Sequence, residues 1–108
     1  IQVDLGQDNL AGGDGMRLDG QTLYIVQSGQ ISSVALDPDY VSGVVRPGYI
    51  DASFASPTSV EVFNGCLLIV NSQFDAVGGQ PELPFTVSTI PIPGVQAGTT
   101  ATPIAGRC

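Results

Sequence analysis

Asp19-Gly20-Gln21-Thr22-Leu23-Tyr24-Ile25-Val26-Gln27-Ser28 is answered further along by Asn64-Gly65-Cys66-Leu67-Leu68-Ile69-Val70-Asn71-Ser72. In each stretch a turn pair that tolerates positive φ feeds an apolar run without helical spacing. The turn pairs start at 19 and 64, 45 positions apart. A tight turn and a buried strand recurring at about 40–50 residues is the pattern of propeller blades. A blade needs a neighbour on both sides, in a ring of about 4–8, and 108 residues hold only two or so. The expected fold is therefore all-β: about two blades of a β-propeller, with no helix. Its partners are expected to be further blades, from the same precursor or from self-association.

Outward from these two runs, alternation and β-branched content predict strands over residues 2–5, 16–18, 22–26, 30–36 and 43–46. Pro47-Gly48 is expected to interrupt the fifth. Further strands are expected over 59–63, 66–71 and 85–92, the last broken by Pro91 and Pro93. Asp37-Pro38-Asp39 reads as a turn with proline preset at its second position, and 72–84 as a long loop. No capping box precedes an apolar stripe at i, i+3, i+4, so no helix is expected. The chain divides into 1–13, the end of a preceding blade and a loop; 14–55, a complete blade; and 56–108, a last blade with a tail. The last blade is one strand short. The other terminus of a propeller chain, or the tail itself, is expected to fill that place.

Composition narrows the function. The chain has 43% hydrophobic residues, 12% charged, 14 Gly and 8 Pro, a balance that suits a globular all-β protein with many reversals. Ten acidic residues against three arginines give a net charge of −7. That argues against a nucleic-acid partner, which needs clustered Arg and Lys. No stretch approaches the ~20 apolar residues that span a bilayer, so no membrane partner is expected, and no signal-peptide pattern is visible. The chain starts at Ile1 rather than Met and is expected to be processed or cut from something longer. With no histidine, the usual general base and zinc ligand are missing from this segment. Chemistry here must use carboxylates, amides, hydroxyls or the cysteines.

The two cysteines are Cys66, in an expected strand, and Cys108, the last residue. Their spacing fits neither a zinc site nor a redox motif. A Cys66–Cys108 bridge would pin the tail to the last blade; two free thiols are the alternative, since free cysteine is commonly buried. The lysine-free, acidic, Pro/Gly/Thr-rich composition fits an extracellular, secreted protein.

Gly13-Asp14-Gly15-Met16-Arg17-Leu18-Asp19-Gly20-Gln21-Thr22-Leu23-Tyr24-Ile25-Val26, then Gln30-Ile31-Ser32-Ser33-Val34-Ala35-Leu36-Asp37-Pro38, is a distinctive string. It resembles the late blades of the SMP-30/gluconolactonase/luciferin-regenerating-enzyme-like family. Ser56-Pro57-Thr58-Ser59-Val60 with Leu67 to Asn71 looks like that family's next blade, and the likeness runs from about Val3 to Ile92. It implies a six-bladed propeller with a divalent metal in the central channel, held by a Glu, two Asn and an Asp. It also implies lactone or ester hydrolysis of a small molecule. The metal-binding Asp of the family matches Asp14; the Glu and both Asn belong to earlier blades and have no counterpart here. The long loop over 72–84 and the Cys-terminated tail depart from the pattern.

A carboxylate at Asp14 suits a hard cation, calcium above all, because calcium prefers oxygen ligands. The competing reading is a turn aspartate between two glycines with no ligand. Gly12-Gly13-Asp14-Gly15 lacks the Lys-Ser/Thr of a phosphate loop. Gln27 and Asn71 end equivalent strands and read as solvated strand ends, with a channel rim as the alternative. Asp37 and Asp39 read as turn formers, and Tyr24 as core. No catalytic residue is assigned. The function expected is metal-dependent lactone or ester hydrolysis by the C-terminal part of such a propeller; the alternative is a non-catalytic propeller scaffold or binding module.

Overall fold

The computed structural model describes residues 2–74 and 79–92. They form seven strands and no α-helix: β1 (Gly13–Asp19), β2 (Thr22–Gln27), β3 (Gln30–Leu36), β4 (Gly43–Tyr49), β5 (Pro57–Phe63), β6 (Cys66–Asn71) and β7 (Val87–Pro91). The protein is all-β, with two antiparallel sheets of order β1-β2-β3-β4 and β5-β6-β7. Each sheet is a meander, every strand paired with its sequence neighbour.

The second turn pair forms its hairpin loop as its chemistry demands; the first is offset by one residue, with Asp19 ending β1 and Gly20-Gln21 making the loop. Gly20 (φ 59°) closes the β1–β2 hairpin, and Asn64 (φ 52°) with Gly65 (φ 76°) closes β5–β6. Two consecutive positive-φ residues make the type of turn whose twist matches the flanking strands. Asp19 then pairs Thr22, and Phe63 pairs Cys66.

β4 does not stop at Pro47-Gly48 but runs on to Tyr49. The register shifts between the Ile31↔Tyr49 and Ser33↔Arg46 pairs, so Pro47 falls at a bulge on an edge strand. There no ladder N–H is demanded of it. β1 likewise starts three residues before the expected Met16, through a bulge between Gly13 and Met16. Residues 2–5 make one isolated parallel bridge, Asp4 with Ser42, rather than a strand; Asp4 N donates to Val41 O at 2.8 Å. At β7 the hydrogen bonds of Asn71 N to Thr86 O and Ile92 N to Gly65 O leave odd-numbered backbone groups facing the outer edge. Pro91 is odd-numbered, so its missing N–H costs the ladder nothing. Pro93 and the tail lie outside the described residues.

The core lies between the sheets. Tyr24, Val26 and Ile31 of the first sheet pack with Val60, Leu67, Ile69 and Ile90 of the second, with Tyr49, Phe54, Val62 and Ile92 around them. Register explains the set. Tyr24 and Val26 share one face of β2, and Leu67 and Ile69 share one face of β6, by the period of two along a strand. Tyr24 is core, as expected, and burial pushes its phenol pKa up; Asp19 adds to the rise and Arg46 opposes it. The opposite faces are apolar too. Met16 and Leu18 remain 65% and 48% exposed on the first sheet, and Phe63 and Val87 60% and 55% on the second. On the first sheet a 320 Å³ groove runs between Val3, Leu5, Leu10, Leu23, Leu36 and Tyr40.

Candidate functional site

The first strands of the two sheets, β1 and β5, lie side by side, and both are bulged where they begin. In β1 the shift falls between Gly13 and Met16, and in β5 between Pro57 and Ser59. Bulges break the strict alternation of side chains and re-aim them. A cleft of 520 Å³ opens at this end of the pair. Gly12, Asp14, Ser28 and Gly29 form one wall. Ser56, Thr58, Ser72 and Phe74 are among the residues of the other. Asp14 is exposed to the cleft. Asp14 is the second residue of β1, inside the strand rather than before it as the sequence suggested.

The second wall is held by a dense set of bonds. Ser72 N and Ser72 Oγ both donate to Ser56 O, at 3.1 and 2.7 Å, and Gln73 N donates to Ala55 O at 3.0 Å. Ser56 sits at φ 50°, a left-handed conformation uncommon outside glycine. Next to it, Asp51 accepts from Ser53 Oγ at 2.6 Å and Ser53 N at 2.9 Å. These bonds hold the Asp51 carboxyl below its usual range.

Asn71 is not a solvated strand end, whereas Gln27 stays half-buried, with its amide tied at both ends. Asn71 is 1% exposed, and its amide is fully used: Oδ1 accepts from Ala55 N at 3.0 Å, and Nδ2 donates to Thr86 Oγ1 and Ser88 Oγ at 3.0 and 2.8 Å. Gln27 donates to Ala11 O at 2.8 Å and accepts from Ser32 Oγ. The sequence signal that misled was polarity: a buried amide is stable only where every group finds a partner, and a strand end does not reveal partners in a distant loop. Asp37 and Asp39 are turn formers, as expected; Asp37 O accepts from Tyr40 N at 2.8 Å and Asp39 Oδ1 from Val41 N at 3.2 Å.

The cleft's side-chain donors are oxygens: the Asp14 carboxylate and the hydroxyls of Ser28, Ser56, Thr58 and Ser72. They suit a hard cation in kind. They do not complete a site in number, since no group of three or more His, Cys, Asp or Glu side chains that could hold a metal ion forms among the described residues. Sequence reasoning singled out Asp14 and passed over the hydroxyls, because serine and threonine are common in loops and carry no spacing signal. Cys66 is buried, 1% exposed, and Cys108 lies outside the described residues. No described helix is long and apolar enough to cross a membrane.

No family model, curated protein or solved structure matches the chain.

Proposed function

We propose that this chain supplies two adjacent blades of a gluconolactonase-like β-propeller, and that its cleft contributes Asp14 to a divalent-cation site used in lactone or ester hydrolysis. The observation that carries the reading is the location of Asp14. It lies on a bulge at the start of β1, in a hydroxyl-lined cleft between two meander sheets. The sequential four-stranded meander and its packing on a second sheet support the blade reading. The apolar outer faces at Met16, Leu18, Phe63 and Val87 are the surfaces that further blades of a six-bladed ring would cover. The acidic, lysine-free composition supports an extracellular setting.

In this reading Asp14 holds negative charge against the cation. The remaining ligands come from blades outside the described residues. Calcium is the cation best matched to a flexible, all-oxygen site. Such a cation, when bound, polarises a carbonyl or lowers the pKa of bound water. The hydroxyls of Ser28 and Thr58 offer hydrogen bonds to the polar atoms of a lactone or ester seated beside it. No residue of this chain is assigned as nucleophile, acid or base.

A second reading is a non-catalytic scaffold or binding module. It is favoured by the lack of a three-ligand cluster among the described residues. Calcium titration calorimetry decides between them. The hydrolase reading expects binding by the native protein and its loss in Asp14→Asn with the fold unchanged. Absence of binding by the native protein, or full binding by Asp14→Asn, would sink it. A panel of small lactones and esters, assayed with and without chelator, then identifies the substrate class.

A further inference from the structure

The first two strands of each sheet correspond position for position, 44 residues apart. Asp19 and Phe63 end the first strands, and Thr22 and Cys66 begin the second. Gln27 holds Ser32 in one sheet as Asn71 holds Ser88 in the other. Alternation along a strand fixes which way each position faces. The core between the sheets takes one face of each: Tyr24, Val26 and Ile31 from the first, and Val60, Leu67 and Ile90 among others from the second. Their counterparts are all apolar, and all lie on the outer faces. Tyr24 and Val26 correspond to Leu68 and Val70, and Ile31, paired with Val26, corresponds to Val87, paired with Val70. Val60 and Leu67 correspond to Met16 and Leu23, and Ile90, paired with Leu67, corresponds to Val34, paired with Leu23. Each sheet therefore has the same two faces, and the interface inside the chain joins unlike ones.

We infer that copies of this chain pack head to tail, the outer face of the second sheet in one copy against the outer face of the first sheet in the next, repeating the interface inside each chain. The receiving face is grooved: Val3, Leu5 and Leu10 stand across 320 Å³ of apolar space from Leu18, Leu23 and Leu36. The entering face carries Val70, Val87 and Phe63, which are 43%, 55% and 60% exposed. Charge selects the arrangement. Arg17 and Glu61 are counterparts, and they bond across the internal interface at 2.9 Å. Repeating that interface sets Glu61 beside Arg17 of the next copy, again opposite in sign. A two-fold pairing of two second-sheet faces would set Glu61 against Glu61, which repels. An interface between unlike faces closes into a ring or grows as a filament, and at two sheets per chain three copies complete a six-bladed ring.

The inference rests on the sheets being blades, and not on the cation. Sedimentation measures the mass of the native chain, of Val70→Glu, of Leu18→Glu, and of an equimolar mixture of the two variants. Both positions are exposed, so each charge blocks one outer face and spares the fold. Circular dichroism checks the fold, and Val70→Gln with Leu18→Gln replaces the pair if either fails it. The expected native mass is about three times that of the chain. Each variant alone should be monomeric. The mixture should give a species of about twice the chain mass and nothing larger, because one unblocked face of each kind remains. A monomeric native protein overturns the inference, and the blade reading then needs blades from another chain or a longer one. Association of either variant alone overturns it too, since that requires a face that pairs with itself, and so does a mixture that stays monomeric. Native assemblies that lengthen with concentration uphold head-to-tail packing and sink the six-bladed ring instead.

Discussion

Gly15 stands so close to Thr58 that a Cβ on the glycine would lie 2.5 Å from the Thr58 carbonyl oxygen and 2.8 Å from Ser59 Cα. Backbone meets backbone here, bulge against bulge, at the point where β1 and β5 begin. A side chain at Gly15 would hold the sheets apart. The absence of a Cβ, rather than any freedom of φ, is what this glycine contributes. Further along the same two strands Arg17 Nε reaches Glu61 Oε1 at 2.9 Å.

Gly15→Ala is therefore expected to destabilise the fold. Its methyl group meets main-chain atoms that cannot rotate away. Overpacking of this kind costs about 1–3 kcal/mol. Urea unfolding should show a lower midpoint at an unchanged slope. A native midpoint would mean that the sheets slide apart freely and that their close approach contributes little.

Leu67→Ala is expected to cost more, about 2–5 kcal/mol. Leu67 is fully buried in the core between the sheets. A truncation there leaves a cavity bounded by side chains from both sheets, which cannot both close on it. If the sheets unfold independently, two transitions will appear and the loss will fall on one of them. A single cooperative transition shifted to lower denaturant is the expected outcome.

The Arg17–Glu61 pair should contribute little despite its short distance. Both side chains are about half exposed, at 50% and 53%. Exposed pairs typically give about 0–1 kcal/mol, and salt screens them further. A double-mutant cycle with Arg17→Ala and Glu61→Ala should give a coupling below about 1 kcal/mol that fades in high salt. A large, salt-insensitive coupling would show that the pair is desolvated in solution.

The strands that were legible in the sequence are those with a strong turn before them and a continuous apolar run. Asp19-Gly20 and Asn64-Gly65 fix hairpin register, and a one-residue slip would expose Tyr24 and Val26 or Leu67 and Ile69. What the sequence hid were non-local effects. Pro47 is harmless only because β4 is an edge strand with a bulge at that point. Asn71 is buried only because Ala55, Thr86 and Ser88 converge on it. Asp14 was legible as a candidate because it sits between two glycines just ahead of an apolar run. The hydroxyls around it were not, since they come from three separate segments, the turn after β2, the start of β5 and the end of β6, that only the packing of β1 on β5 brings together.

Acid should loosen the loop that carries Ser53. The Asp51 carboxylate is held below its usual range by the Ser53 hydroxyl and amide. A carboxyl whose folded pKa is depressed stabilises the fold above its unfolded value, and that contribution is lost as pH falls through the folded value. Ser53 Oγ also lies 2.8 Å from Ser88 Oγ, so the change reaches β7. The Ser53 amide resonance should titrate below the ordinary carboxylate range. Asp51→Asn should abolish that titration; its persistence would assign it to another group.

The last prediction concerns Cys66. Alternation along β6 puts Cys66 on the face opposite Leu67 and Ile69, so it is not part of the core between the sheets. It is nevertheless 1% exposed. A buried cysteine on an outer face is well placed to take a covalent partner, and Cys108 is the chain's other cysteine. A Cys66–Cys108 bridge would close a long loop and limit the unfolded chain, a gain of about 2–4 kcal/mol. The protein unfolded in guanidinium without reductant should then show no reactive thiol. Reduction should release two thiols and lower the unfolding midpoint. Cys108→Ser should lower it by a similar amount and leave Cys66 titratable on unfolding. Two reactive thiols in the unreduced, unfolded protein would rule the bridge out and leave Cys66 as a small buried apolar residue.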